Sequence, residues 1–221
     1  MELSIDTAGD RASIAVSDEG RLVGEMTWRS QRQHSVQLLP SVQTLLQRVA
    51  VDKHDLRAIF VCTGPGGYAG LRVGVAAAKG LAFGLAIPIV GVGRLEVEAY
   101  RFADSGRLVC AAHRAGRGEV AWAVYAGPRD EWREISPPHM SKTDDFLAQA
   151  PADAILCADE GDGVVALLME QGRTVSTLYR RAERLAELGW RRLAAGRVDD
   201  ARTLAPLYLR EPAIGPQNVV S

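Results

Sequence analysis

Thr63-Gly64-Pro65-Gly66-Gly67-Tyr68-Ala69-Gly70 constrains this chain more than any other stretch. It follows the apolar, strand-like run 57–62 and precedes a helical pattern over 71–85, and a second short apolar run fills 88–92. Glycine reaches backbone angles that side chains oppose, and proline cannot sit inside a helix or a central strand. The stretch is therefore a strand-to-helix turn. Strand, helix and strand at these lengths form a crossover unit, which implies parallel pairing. Upstream, residues 2–6, 12–17 and 21–28 alternate apolar with polar around the turn Asp18-Glu19-Gly20 and read as an antiparallel meander. Val36, Leu39, Val42, Leu46 and Val49 recur at three- and four-residue steps and predict a helix over 35–49, with Pro40 tolerable only near its start. The first half thus reads β-β-β-α-β-α-β, an α/β fold with a mixed sheet.

The second half is less regular. It predicts strands at 107–112, 118–125 and 154–157 and helices at 94–104, 143–149, 162–171 and 181–195. A soft boundary at Asp104-Ser105-Gly106 divides the chain into an N-terminal unit, 1–104, and a C-terminal unit, 105–221. Helix 181–195 is a candidate to pack back on the first unit. No repeat stands out by residue identity. With 47% hydrophobic and 24% charged residues, the 221-residue chain can bury a core without staples. Cys62, Cys110 and Cys157 are odd in number, far apart and without a CxxC, so they read as neither a disulfide framework nor a zinc site. The expected compartment is the cytoplasm. The N-terminus lacks the basic segment of a leader, and the apolar stretch 73–92 is broken by Lys79, glycines and Pro88 well short of the ~18 residues a span needs. A net charge of −1 argues against a protein that holds nucleic acid alone.

Several residue sets could carry chemistry. Backbone N–H groups of a glycine turn opening a helix can hold an anion, so Gly64 and Gly66 could line a phosphate cradle. The rival reading is a tight turn that shapes a protein interface. Gly64-x-Gly66-x-x-Ala69 lacks the acidic residue a dinucleotide site wants about 20 positions on, and no GK[ST] follows. Gly70, Gly74, Gly80 and Gly84 crowd one helix, where each costs about 1 kcal/mol relative to alanine. Small residues let another backbone approach, either a partner helix or this chain's own sheet. His34, His54, His113 and His139 show no HxxxH or HExxH spacing, and no GxSxG is present. Asp159, Glu160 and Asp162 read as an acidic surface turn, and the arginines between 180 and 192 as a solvated face with tRNA contact as the alternative.

The letters carry a resemblance. Leu3-Ser4-Ile5-Asp6-Thr7, His34-Ser35 with Leu38-Leu39-Pro40, the loop and helix Gly64 to Gly74 with Lys79-Gly80-Leu81-Ala82, Gly118-Glu119-Val120 and Pro206-Leu207-Tyr208-Leu209-Arg210 together resemble the TsaB family, in the family's order. The resemblance implies an actin-like ATPase fold with two subdomains of mixed sheets flanked by helices. It implies a non-catalytic subunit of the tRNA threonylcarbamoyladenosine machinery. Such a subunit pairs with TsaD, a larger homologue that performs the transfer. TsaE is a further partner, tRNA is met through the complex, and no membrane is involved. It also implies no cofactor of its own, with ATP or ADP at the complex interface as the one nucleotide to expect. The interface would lie on helices 34–46 and 68–84, with Leu38, Leu45, Leu71 and Val75 as anchors beside His34, Ser35, Leu39, Tyr68, Gly70, Gly74 and Ala78. Asp6 and Thr7, with Gly64 and Gly66, would be a vestigial nucleotide site. A weak homodimer through the same face is expected, since large bare apolar patches tend to be covered.

Two departures stand out. Gly67-Tyr68-Ala69 replaces the family's Ser-Phe-Thr, which removes two hydroxyls. Arg114-Ala115-Gly116 replaces Asp-Ala-Arg, which alters the charges of that loop. The alternatives are an ATPase or sugar-kinase-like enzyme, which would want a longer chain and a second phosphate loop, and a peptidase, for which metal and nucleophile signatures are missing.

Overall fold

The computed structural model describes residues 1–31, 33–179 and 182–210. Two five-stranded mixed sheets form its frame. The first is built from β1 (Glu2–Asp6), β2 (Arg11–Asp18), β3 (Arg21–Arg29), β4 (Ala58–Gly64) and β5 (Ile89–Gly93), in the order β3-β2-β1-β4-β5. β1 pairs antiparallel with β2 and parallel with β4, so the meander and the crossovers share one sheet. Helices α1 (His34–Arg48) and α2 (Tyr68–Leu85) are those crossovers.

The second sheet repeats this plan. β6 (Val109–Gly116), β7 (Glu119–Ala126) and β8 (Arg133–Lys142) make an antiparallel meander; α4 (Thr143–Gln149), β9 (Ile155–Asp159), α5 (Gly163–Glu170) and β10 (Ser176–Leu178) follow. The order is β10-β9-β6-β7-β8, with β6, β9 and β10 parallel. The chain is thus two β-β-β-α-β-α-β units, a duplication invisible in residue identities. Helix α3 (Arg94–Ala99), continued by a 3-10 turn at Tyr100–Phe102, links them.

Each sheet buries both faces. α1 and α2 cover one face of the first sheet through Leu38, Val42, Leu45, Val75 and Ala78. The other face meets α3 and α6 (Ala182–Ala194) through Phe60, Val90, Tyr100, Leu185 and Leu188. Gly189 is required there, since a Cβ would overlap the Phe60 ring. α4 and α5 cover the second sheet through Phe146, Val164 and Leu168, while Leu95 and Ala99 of α3 reach its opposite face. Helix α6, from the second half of the sequence, therefore lies on the first sheet, and α3 is shared by both.

Several expectations need correction. β8 was not foreseen, because Pro137 and Pro138 argue against a strand. It survives as an edge strand, where one side needs no N–H donors. β10, at three residues, is too short to leave a periodic signal. Pro40 sits in the second turn of α1 rather than the first. The Val36 carbonyl it cannot serve is on an exposed residue, where water can replace the missing bond. Predicted helix 94–104 stops at Ala99 and tightens to 3-10.

Candidate functional site

At the end of β1 the chain turns through residues packed against the glycine loop. Asp6 and Thr7 are buried. Asp6 Oδ1 accepts the Ala8 N–H at 3.0 Å, and Thr7 Oγ1 donates to the Gly70 carbonyl at 2.8 Å. The Gly67 N–H donates to the Ala8 carbonyl at 3.1 Å. A Cβ on Gly66 would collide with the Ala8 carbonyl, and one on Gly70 or Gly74 with Thr7. These glycines let the start of α2 press on the end of β1. Asp6, Thr7, Gly64 and Gly66 are consequently occupied with one another's backbone and with the first turn of α2. The arrangement is a tightly packed turn at the place where the vestigial nucleotide site was expected.

The same contact divides α2 into two faces. Gly70, Leu71, Gly74, Val75, Ala78 and Ala82 point inward and are buried. Ala69, Arg72, Ala76, Gly80, Phe83 and Gly84 point outward, and a Cβ on Gly80 or Gly84 would meet nothing. In α1, Leu38, Val42, Leu45 and Leu46 face the core while Ser35, Val36, Leu39, Pro40 and Gln43 face out. The proposed anchors Leu38, Leu45, Leu71 and Val75, with Gly70, Gly74 and Ala78, therefore belong to the protein's own core. Removing each leucine from water is worth roughly 2 kcal/mol to this fold, and none is available to a partner. Of the residues foreseen as interface, Ser35, Leu39 and Tyr68 are exposed, and His34 is half-buried with its ring against Gly70. Burial lowers the His34 pKa, opposed by Asp10 and Asp6.

The outer face so defined exposes large apolar side chains. Phe83 is 75% exposed, Val36 66% and Leu39 51%. Residues 34–47 contain no Asp, Glu, Lys or Arg, and α2 carries only Arg72 and Lys79. Lys79 is turned to the C-terminal segment, donating to the Leu204 carbonyl at 2.8 Å. Arg72 donates to the Tyr68 hydroxyl at 2.7 Å, and Tyr68 lies 5.2 Å from the ring of Tyr208. Two packed helices thus present an apolar, nearly uncharged surface bordered by a Tyr-Arg-Tyr cluster. Sequence reading missed Val36, Ala76, Gly80 and Phe83 as surface residues. The signal was there: α1 carries no charged residue over fourteen positions, so its outer face can show only neutral side chains.

Two other candidate sets are structural. Asp162 is not on a surface turn. It caps α5 through the Val164 N–H, accepts the Arg114 N–H, pairs with Arg94 at 3.1 Å and hydrogen-bonds His113. Arg94 also binds Glu98 at 2.6 Å. The described arginines of α6 do not form a solvated face: Arg184 binds Glu187, Arg191 donates to the Asp130 carbonyl, and Arg192 binds Glu96 and the Gly91 carbonyl. Arg180 and Arg181 lie outside the described residues. Among the described residues, no three His, Cys, Asp or Glu side chains are grouped to hold a metal ion, and no helix is long and apolar enough to cross a membrane.

Two mixed sheets of matching topology, flanked by helices and joined through α3, define an actin-like fold, here with a closed glycine turn and an apolar two-helix face. A family model described as TsaD: tRNA N6-adenosine threonylcarbamoyltransferase matches residues 25–212. The chain is 33% identical to the tRNA threonylcarbamoyladenosine biosynthesis protein TsaB of Bacillus subtilis over 66% of its length and 63% of that protein. It is 36% identical to the Escherichia coli protein of the same name over 58% of its length, so the match spans only 55% of that relative. The solved structure of YeaZ from Pseudomonas aeruginosa superposes with a TM-score of 0.80 at 27% identity, covering 94% of this chain and 99% of that one. The chain belongs to this family, in its TsaB/YeaZ group.

Proposed function

We propose that the chain is a non-catalytic, cytoplasmic subunit of the assembly that makes threonylcarbamoyladenosine in tRNA, and that it binds and activates a TsaD-type transferase through the outer face of α1 and α2. The observation that carries this reading is the apolar surface of Val36, Leu39 and Phe83 with Ala76 and Gly80 between. Exposed large apolar residues on two packed helices, with no charge among them, need a cover. Small residues on α2 let partner helices approach closely. The closed turn at Asp6, Thr7 and Gly66 supports a binding rather than a catalytic role. Nucleotide, if engaged, would then sit at the interface with the transferase, and TsaE and tRNA would be met through the complex.

The test is co-purification with the TsaD-type protein of the same organism, using wild type and Gly80→Arg. Gly80 faces open space, so the arginine leaves the fold intact while placing a charge in the centre of the face. Capture by wild type and loss in the variant is the expected result. Gly74→Arg would be uninformative, because its side chain would enter the Thr7 contact and unfold the helix packing. Equal capture by wild type and Gly80→Arg would move the interface elsewhere, and no capture by wild type would overturn the reading.

A further inference from the structure

Arg72, Ala76, Gly80 and Phe83 follow one another at three- and four-residue steps along the outward side of α2, and all four are exposed. Arg72 is the single charge in that stripe, since Lys79 is turned to the Arg202 and Leu204 carbonyls. Arg72 spends one N–H on the Tyr68 hydroxyl, at 2.7 Å, and its guanidinium carbon lies 4.9 Å from the centre of the Tyr68 ring. Tyr68 is backed in turn by Tyr208, 5.2 Å away. The tyrosines hold the guanidinium in place without neutralising it. Among the described residues no carboxylate pairs with Arg72, and a guanidinium has five N–H donors to satisfy.

A partner that covers Ala76, Gly80 and Phe83 also takes water from Arg72, one turn further along the same side of the helix. A cation stripped of water without an anion is strongly unfavourable. Paired with a carboxylate it makes short, charge-assisted and two-pronged hydrogen bonds. A second copy of this chain brings no such anion on its own helical face, because neither α1 nor α2 contains an Asp or Glu. Self-docking therefore leaves Arg72 unmatched, whereas a different protein can match it.

We infer that the TsaD-type partner sets an Asp or Glu side chain against Arg72, and that this pair selects the partner over a second copy of this chain. The inference rests on the partner-subunit reading and adds to it the chemistry that the partner must present: apolar side chains opposite Val36, Leu39 and Phe83, and a carboxylate at the Tyr68 end of α2. Attraction raises affinity for one occupant while an unmatched charge lowers it for the other.

The test is calorimetric titration of the full chain with the TsaD-type protein of the same organism, at low and high salt, beside light scattering of the chain alone. Arg72 is exposed, so its replacement leaves the core untouched, and matched melting curves confirm it. Arg72→Gln should weaken partner binding about tenfold at low salt, equivalent to about 1.4 kcal/mol, and flatten its salt dependence. Arg72→Glu should weaken it further, and Arg72→Lys should restore part of the affinity. Self-association of Arg72→Gln should be at least as strong as that of wild type, because the unmatched cation is gone. Wild-type binding that Arg72→Gln and Arg72→Glu leave unchanged would overturn this inference alone, and so would an Arg72→Gln variant that loses partner binding and self-association together, which marks a role in shape rather than in charge. No binding by wild type would overturn the partner-subunit reading and this inference with it.

Discussion

Asp162 ties three elements of the molecule together with one carboxylate: α3 through Arg94, β6 through His113 and the Arg114 N–H, and the first turn of α5 through the Val164 N–H. Burial alone would raise its pKa, but the His113 hydrogen bond and charge, Arg94 and the Arg114 N–H outweigh burial and hold it below the ordinary carboxylate range. Asp162→Asn keeps a capping side chain but takes the anion from His113 and leaves Arg94 with Glu98 and the more distant Asp159. Breaking one partner of such a buried group should cost about 3 kcal/mol, read as a shift in the urea midpoint at neutral pH. The pH dependence has a definite sign. A depressed carboxyl takes up its proton more readily in the unfolded chain. Its contribution is therefore complete above the ordinary value of 3.8 and fades as pH falls from there through the folded value. The gap between wild type and Asp162→Asn should stay constant near neutrality and close in strong acid; a gap that widened on acidification would contradict the assignment.

Helix α2 shows how one element serves two surfaces. Its glycines look alike in sequence but divide by face: Gly70 and Gly74 press on Thr7, whereas Gly80 and Gly84 front open space. Gly74→Ala should destabilise the chain by about 2 kcal/mol, as overpacking does, while Gly80→Ala should stabilise it by up to about 1 kcal/mol through helix propensity. Thermal melts of the two variants should therefore move in opposite directions. If both melted lower, Gly80 would also be packed from within. The helix itself was legible from its periodicity, and so was the order of all elements through β5. The direction of its faces was not. Apolar residues occupy both sides of α1 and α2, so the three- and four-residue steps that identify a helix fit Leu38-Val42-Leu45 inside as well as Val36-Leu39 outside. Periodicity locates a stripe only when the opposite face is polar. β8 was hidden for a different reason: sequence cannot say that a Pro-Pro strand will lie at an edge. The Arg94–Asp162 junction was hidden because its members are 68 residues apart and meet only when two units of the same topology pack on α3.

Across the whole molecule, the duplication separates support from contact. α4 and α5 cover the second sheet, and α3 and α6 fill the space shared by the two units. That leaves α1 and α2, which cover the first sheet as α4 and α5 cover the second, with an apolar side that none of the described residues covers. A lone copy in solution has one ready means of hiding that face, which is to set it against the same face of a second copy about a twofold axis. The contact would be self-complementary in shape but optimised for another protein, so it should be weak. Light scattering over a range of concentrations should give a mass rising from the 23.8 kDa of one chain toward twice that value. Phe83→Glu puts a charge where each copy would bury its most exposed large side chain, and should hold the protein at the lower mass throughout. Added TsaD-type partner should dissolve the wild-type dimer into a one-to-one pair, because both occupants need the same helices. A dimer that survives Phe83→Glu, or that binds the partner without dissociating, would show that the two contacts use different surfaces and that the α1/α2 face has a single tenant.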